Sequence, residues 1–201
     1  MAEPTWIRDL FALWATEFRL FLHTLTRFVI APRAFGDAWA EGRLHVINPA
    51  AFLAATWPLL LPADYGLQHL LGWDGRANVS LGTEVARALK PYLLVIPATL
   101  LIHGALRLAG TRRRLSSTLA MMLYGVALVA LGWVTGLAAC FAFGVPRATV
   151  FVTSGAAAMW TAFALAGLHR AHWLWCAALY MGAWFTSAAG VNWILDHARL
   201  S

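Results

Sequence analysis

From Leu119 to Phe143 the chain runs 25 residues without a charged side chain. Just before it, the 19 residues from Pro91 to Ala109 carry one histidine and one arginine, and the link between the two stretches is the basic turn Gly110-Thr111-Arg112-Arg113-Arg114. At about 1.5 Å per residue in a helix, either stretch crosses a hydrocarbon core of roughly 30 Å. The pair reads as a helical hairpin built for a bilayer. Few soluble folds could bury so long an uncharged helix.

The rest of the sequence agrees. The chain is 61% hydrophobic and 12% charged, whereas ordinary soluble domains carry about a quarter charged residues. The formal charge of +6 does not point to nucleic acid, because the basic residues gather at span ends, where insertion needs them, rather than along one soluble face. Lys90 is the single lysine among fifteen basic residues, and alanine is abundant, a bias that fits a GC-rich bacterial genome. Charges at Arg8, Asp9, Glu17 and Arg19 interrupt any apolar core near the start, so no secretory signal is expected and insertion would rely on the internal spans.

The expected fold is all-α: a polytopic integral membrane bundle of about five transmembrane helices with an N-terminal amphipathic interfacial helix. Residues 5–30 place Trp6, Phe11, Trp14, Phe18, Phe21, Leu25 and Phe28 at three- and four-residue steps, with Arg8, Glu17, Arg19, His23 and Arg27 largely between them. A crossing helix would hold Glu17 and Arg19 at mid-bilayer, costing about 2.5–3.5 kcal/mol per charge. Lying in the interface avoids that cost, so Trp6, Phe11, Trp14, Arg19 and Arg27 are the expected lipid-interface residues. Residues 33–48 read as a polar connector, which gives an N-terminal part of 1–46 and a membrane domain of 47–201. The spans fall at about 47–63, 91–109, 119–143, 149–168 and 173–195. The first is punctuated by Pro49, Pro58 and Pro62 and reads as short, with a re-entrant course left open; residues 74–90 read as an extramembrane loop.

With five spans and the N-terminus inside, ten basic residues face inward and five outward. The positive-inside rule then favours N-inside, C-outside, in a bacterial cytoplasmic membrane.

The stretch from Leu93 through His103-Gly104-Ala105-Leu106-Arg107 to Gly110, followed by Leu115-Ser116-Ser117-Thr118-Leu119 and Tyr124, resembles the bacterial members of the Yip (Ypt-interacting protein) family. The upstream runs Ala31-Pro32-Arg33-Ala34-Phe35 and Asn48-Pro49-Ala50-Ala51-Phe52 are similar to membrane proteins of this kind. The resemblance implies a cytosolic N-terminal segment, five spans and a non-enzymatic adaptor role. The Asp-Leu-Tyr-Gly-Pro motif of eukaryotic members is not present, so no binding of small GTPases is implied.

Chemistry is sparse. His103, one turn before Arg107, is an intramembrane ionisable residue and so a functional candidate; the plainer reading is interhelical glue, with Arg107 reaching up to headgroups. Asp64, Asn192 and Asp196 fall near the outer span ends, either as markers of the water boundary or as part of a polar path. His169 and His172 flank Arg170 in a turn, too few ligands for zinc, and solvation at the interface is expected for both. Gly132 and Gly136 make a GxxxG step. Ser154, Ala158, Ala162 and Ala166 form one small-residue ladder, and Ala178, Gly182, Thr186 and Gly190 another, serving close helix approach within the bundle or between copies. Cys140 and Cys176 lie near opposite faces, and no disulfide is expected. No catalytic constellation, metal site or cofactor site stands out.

The reading that follows is a non-catalytic integral membrane scaffold or adaptor subunit. It would act through helix packing and through partner or lipid contacts, as a homo-oligomer or within a larger membrane complex. A small channel or transporter with a polar path through His103 and the outer polar residues is the alternative. A third reading, His103 as axial ligand to haem or a chlorin, predicts a coloured preparation.

Overall fold

The computed structural model describes residues 5–73 and 81–198, without the side chains of 5–14, 57–59, 81–89, 91–92 and 192–198. Among the described residues there is no strand, and the element order is α1 (Thr5–Ile30), α2 (Pro32–Ala40), α3 (Pro49–Leu70), α4 (Leu81–Leu108), α5 (Leu115–Phe143), α6 (Ala148–His169) and α7 (Trp173–Ala198). Among the described residues, three stretches are long and apolar enough to cross a membrane: all of α5, all of α6, and Trp173–Val191 of α7. A shorter apolar stretch, Leu93–Leu108, forms the second half of α4.

Local chemistry sets the helix ends. Asn48 caps α3, its side-chain oxygen accepting from the Ala50 amide at 2.9 Å, and Pro49 occupies the first helical position, where no amide hydrogen is needed. α3 then continues to Leu70 through Pro58 and Pro62, where a short or broken span was expected. α4 begins at Leu81, so residues 81–90, where only an amphipathic turn around Thr83–Lys90 was expected within a loop, are continuous helix with the span; residues 74–80 lie outside the described residues. α5 stops at Gly144, whose left-handed φ of 62° lets its amide return to Cys140 O. α6 stops at Arg170, a non-glycine residue at φ 51°. Its guanidinium is held by Glu41 at 3.2 Å and Asp37 at 3.6 Å.

The polar connector of the sequence reading contains a helix. Pro32 opens α2, and Gly36 lies so close to α6 that a Cβ there would collide with the backbone of Ala164 and Leu168. Gly167 answers from α6, its face pressed against the Arg33 carbonyl. Two glycines thus let two backbones touch, and that contact seats α2 against α6.

α5 is the hub, packing on α3, α4 and α6, while α7 closes the bundle against α4 and α6. One aromatic cluster ties the N-terminal helices to it. Tyr124 of α5 sits 5.3–6.0 Å from the rings of Phe28, Phe35, Trp39 and Phe52, and Phe52 stacks on Phe21 at 4.7 Å. The Tyr124 hydroxyl donates to the Ile47 carbonyl, and the Ile47 amide donates to Thr24 Oγ1 at 3.1 Å. Both backbone groups of a buried residue between helices are therefore satisfied by side chains.

Candidate functional site

At the end of the bundle that carries the basic turn, four polar side chains form one string. His103 Nδ1 lies 2.9 Å from Thr118 Oγ1, Thr118 Oγ1 lies 3.0 Å from His169 Nε2, and His169 Nδ1 lies 3.2 Å from Thr111 Oγ1. The imidazole centroids are 6.3 Å apart. Thr118 is fully buried and His169 is 5% exposed, whereas His103 sits at the edge of the bundle, partly exposed. Arg113 closes the end by donating its Nε to the Leu168 carbonyl at 2.9 Å.

The helices explain the meeting. α4 ends and α5 begins at the basic turn, and α6 runs antiparallel to α5, so His103, Thr118 and His169 each lie within about two turns of the same end. Sequence reasoning singled out His103 but expected His169 to be solvated; it is buried instead, because Thr118 offers it a partner inside. Thr118 and Thr111 were missed as site residues. The signal available was positional: two histidines and a threonine, all near one end of three adjacent antiparallel helices. Arg107 is exposed on α4, one turn beyond His103.

Asp64 belongs to a second cluster, on α3 and α5. Its Oδ1 accepts from Gln68 Nε2 at 2.6 Å and from Trp133 Nε1 at 2.8 Å. The carboxylate is thus engaged in joining two helices. Trp133→Phe is expected to destabilise the bundle by about 1 kcal/mol, the net value of one hydrogen bond. Thermal unfolding in detergent would read it, and an unchanged midpoint would deny the joint any weight.

The glycine candidates divide. A Cβ on Gly132 would meet the Thr153 carbonyl oxygen at 2.8 Å, and one on Gly136 would meet the Val150 Cα at 2.6 Å, so this GxxxG step is used between α5 and α6. Gly182 and Gly190 on α7 are exposed, with nothing within 4 Å of an added Cβ. Ala178 and Thr186 of the same ladder are exposed as well. Arg19 and Arg27 are exposed on α1, whose Phe21, Thr24 and Phe28 face the core. The side chains of Trp6, Phe11, Trp14, Asn192 and Asp196 lie outside the described residues.

Both cysteines are free and buried. Among the described residues, no group of three or more histidine, cysteine or acidic side chains could hold a metal ion. Comparison of the chain with models of protein families, with curated proteins and with solved structures finds no match in any of the three.

Proposed function

We propose that the chain is a non-catalytic integral membrane subunit that works through helix packing, with α7 as its contact face and a second copy as its first partner. The α7 ladder carries this reading. Ala178, Gly182, Thr186 and Gly190 are exposed at four-residue steps, while the glycines of α5 are consumed inside the bundle. Small residues on a lipid-facing helix let a second backbone approach closely, which is how helices gain packing energy where no hydrophobic driving force acts between them.

In this reading α3 and α4 complete five spans with α5, α6 and α7, and α1 lies in the interface. The N-terminus faces the cytoplasm of a bacterial cell and the C-terminus lies outside. A Yip-like adaptor fits the same layout. The conducting-path alternative is less well supported, since Asp64 and His103 are each engaged with neighbouring side chains. A cavity of about 790 Å³ lies between α2 and α6, lined by Arg33, Asp37, Trp160 and Phe163 among others, none of them part of either cluster.

The test is the mass of the protein in nanodiscs, wild type against Gly182→Leu and Gly190→Leu. A homodimer that falls to monomer in both variants is expected. A wild-type monomer, or a dimer untouched by either leucine, would remove α7 as the contact face.

A further inference from the structure

The string of His103, Thr118, His169 and Thr111 can run in either of two directions, according to the tautomers of its two histidines. A hydroxyl carries one proton, so Thr118 donates to one histidine while accepting from the other. When it donates to His103 Nδ1, His103 carries its own proton on Nε2, on the ring edge turned away from Thr118. His169 Nε2–H then donates to Thr118, and His169 Nδ1 accepts from the Thr111 hydroxyl. Every hydrogen bond in that arrangement points its donor toward the outer edge of α4.

What lies at that edge suits an anion. Gly104 is exposed, and a side chain added there would meet nothing within 4 Å, so the helix has a shallow notch next to His103. Arg107 shares the face of His103 at four-residue spacing, is exposed, and has no ion pair with a carboxylate among the described residues. Leu100 and Leu101, exposed at 54% and 46%, lie one turn deeper. Arg112 and Arg114 stand exposed in the turn above.

We propose that this face of α4 binds the phosphate of an anionic phospholipid, held by His103 Nε2–H and the Arg107 guanidinium over the Gly104 notch, with an acyl chain along Leu100 and Leu101. The site rests on the membrane-embedded reading above and specifies its lipid contact. Arginine and imidazole N–H groups supply charge-assisted hydrogen bonds to phosphate oxygens. The neighbouring arginines select against a cationic choline and for a headgroup of net negative charge. Thr118 is the positioning residue: in the direction proposed here it donates to His103 Nδ1, which leaves His103 a donor on its outer nitrogen.

Full-length protein would be placed in nanodiscs of equal parts phosphatidylcholine and phosphatidylglycerol, released into mild detergent, and weighed with its bound lipid by native mass spectrometry. Selective retention of phosphatidylglycerol is expected, falling about tenfold in His103→Ala and in Arg107→Gln, the scale of one charged hydrogen bond. Thr118→Val should weaken retention and move the His103 ¹⁵N signals from the Nε2–H tautomer to a mixture, and Thr118→Ser should restore both. Arg170→Gln, at the α2 contact, should leave retention unchanged. Wild-type retention in His103→Ala and Arg107→Gln, or retention blind to headgroup, overturns the site. The oligomeric mass in the same spectra separates the two proposals: lipid lost with the dimer intact is the expected pattern for the His103 variant, whereas failure to enter nanodiscs would defeat the membrane reading itself.

Discussion

Tyr124→Ala should destabilise the protein by about 3–5 kcal/mol, the range for deleting a large buried aromatic side chain. The residue is 1% exposed and touches rings from α1, α2 and α3 at once, so no single neighbour can collapse into the space it leaves. Removing it also strands the Ile47 carbonyl, which then has no donor in the bundle. Tyr124→Phe isolates that second effect and should cost about 1 kcal/mol. Thermal unfolding in detergent, followed by the reaction of buried Cys140 and Cys176 with a thiol dye, would read both variants. Alanine and phenylalanine behaving alike would mean that the ring cluster carries no weight.

Gly36→Val should detach α2 while leaving the centre of the bundle standing. The added carbon would meet backbone rather than a movable side chain, and overpacking of this kind costs about 1–3 kcal/mol or more. Gly167→Val attacks the same contact from α6, against the Arg33 carbonyl, and should give the same result. α5 and α6 have their own close approach at Gly132 and Gly136, independent of α2. Limited proteolysis of the solubilised protein would then cut within residues 41–48 in either variant, with residues 115–169 still protected. Wild-type resistance at residues 41–48 would show that the glycine contact does not hold the N-terminal helices down.

The central helices were legible because their signal is local. A run such as Leu119–Phe143 needs no neighbour to announce itself, since an uncharged stretch of that length has few other fates. α2 was not legible. Its nine residues include Arg33 and Asp37, and its seat on α6 is decided by Gly36 meeting a backbone far away in sequence. The same distinction splits the glycine ladders. Gly132 with Gly136 and Gly182 with Gly190 carry the same kind of small-residue spacing, and only packing distinguishes the used pair from the exposed one. Of the candidate site, His103 was visible as an ionisable group inside an apolar run. His169 was misread because a histidine at a turn looks solvated until a hydroxyl from another helix is placed beside it.

The contact between α2 and α6 also sets an order of events during synthesis. Trp160 Nε1 donates to the Val29 carbonyl across 131 residues of chain, and Gly36 waits on Ala164 at a similar separation. At about 5–20 residues per second, translation takes roughly 7–26 seconds to bridge that gap. For that interval the Val29 carbonyl lacks the Trp160 donor and Gly36 has no helix to pack against. Docking of the first two helices is therefore timed by the arrival of the sixth, not by how fast they coil.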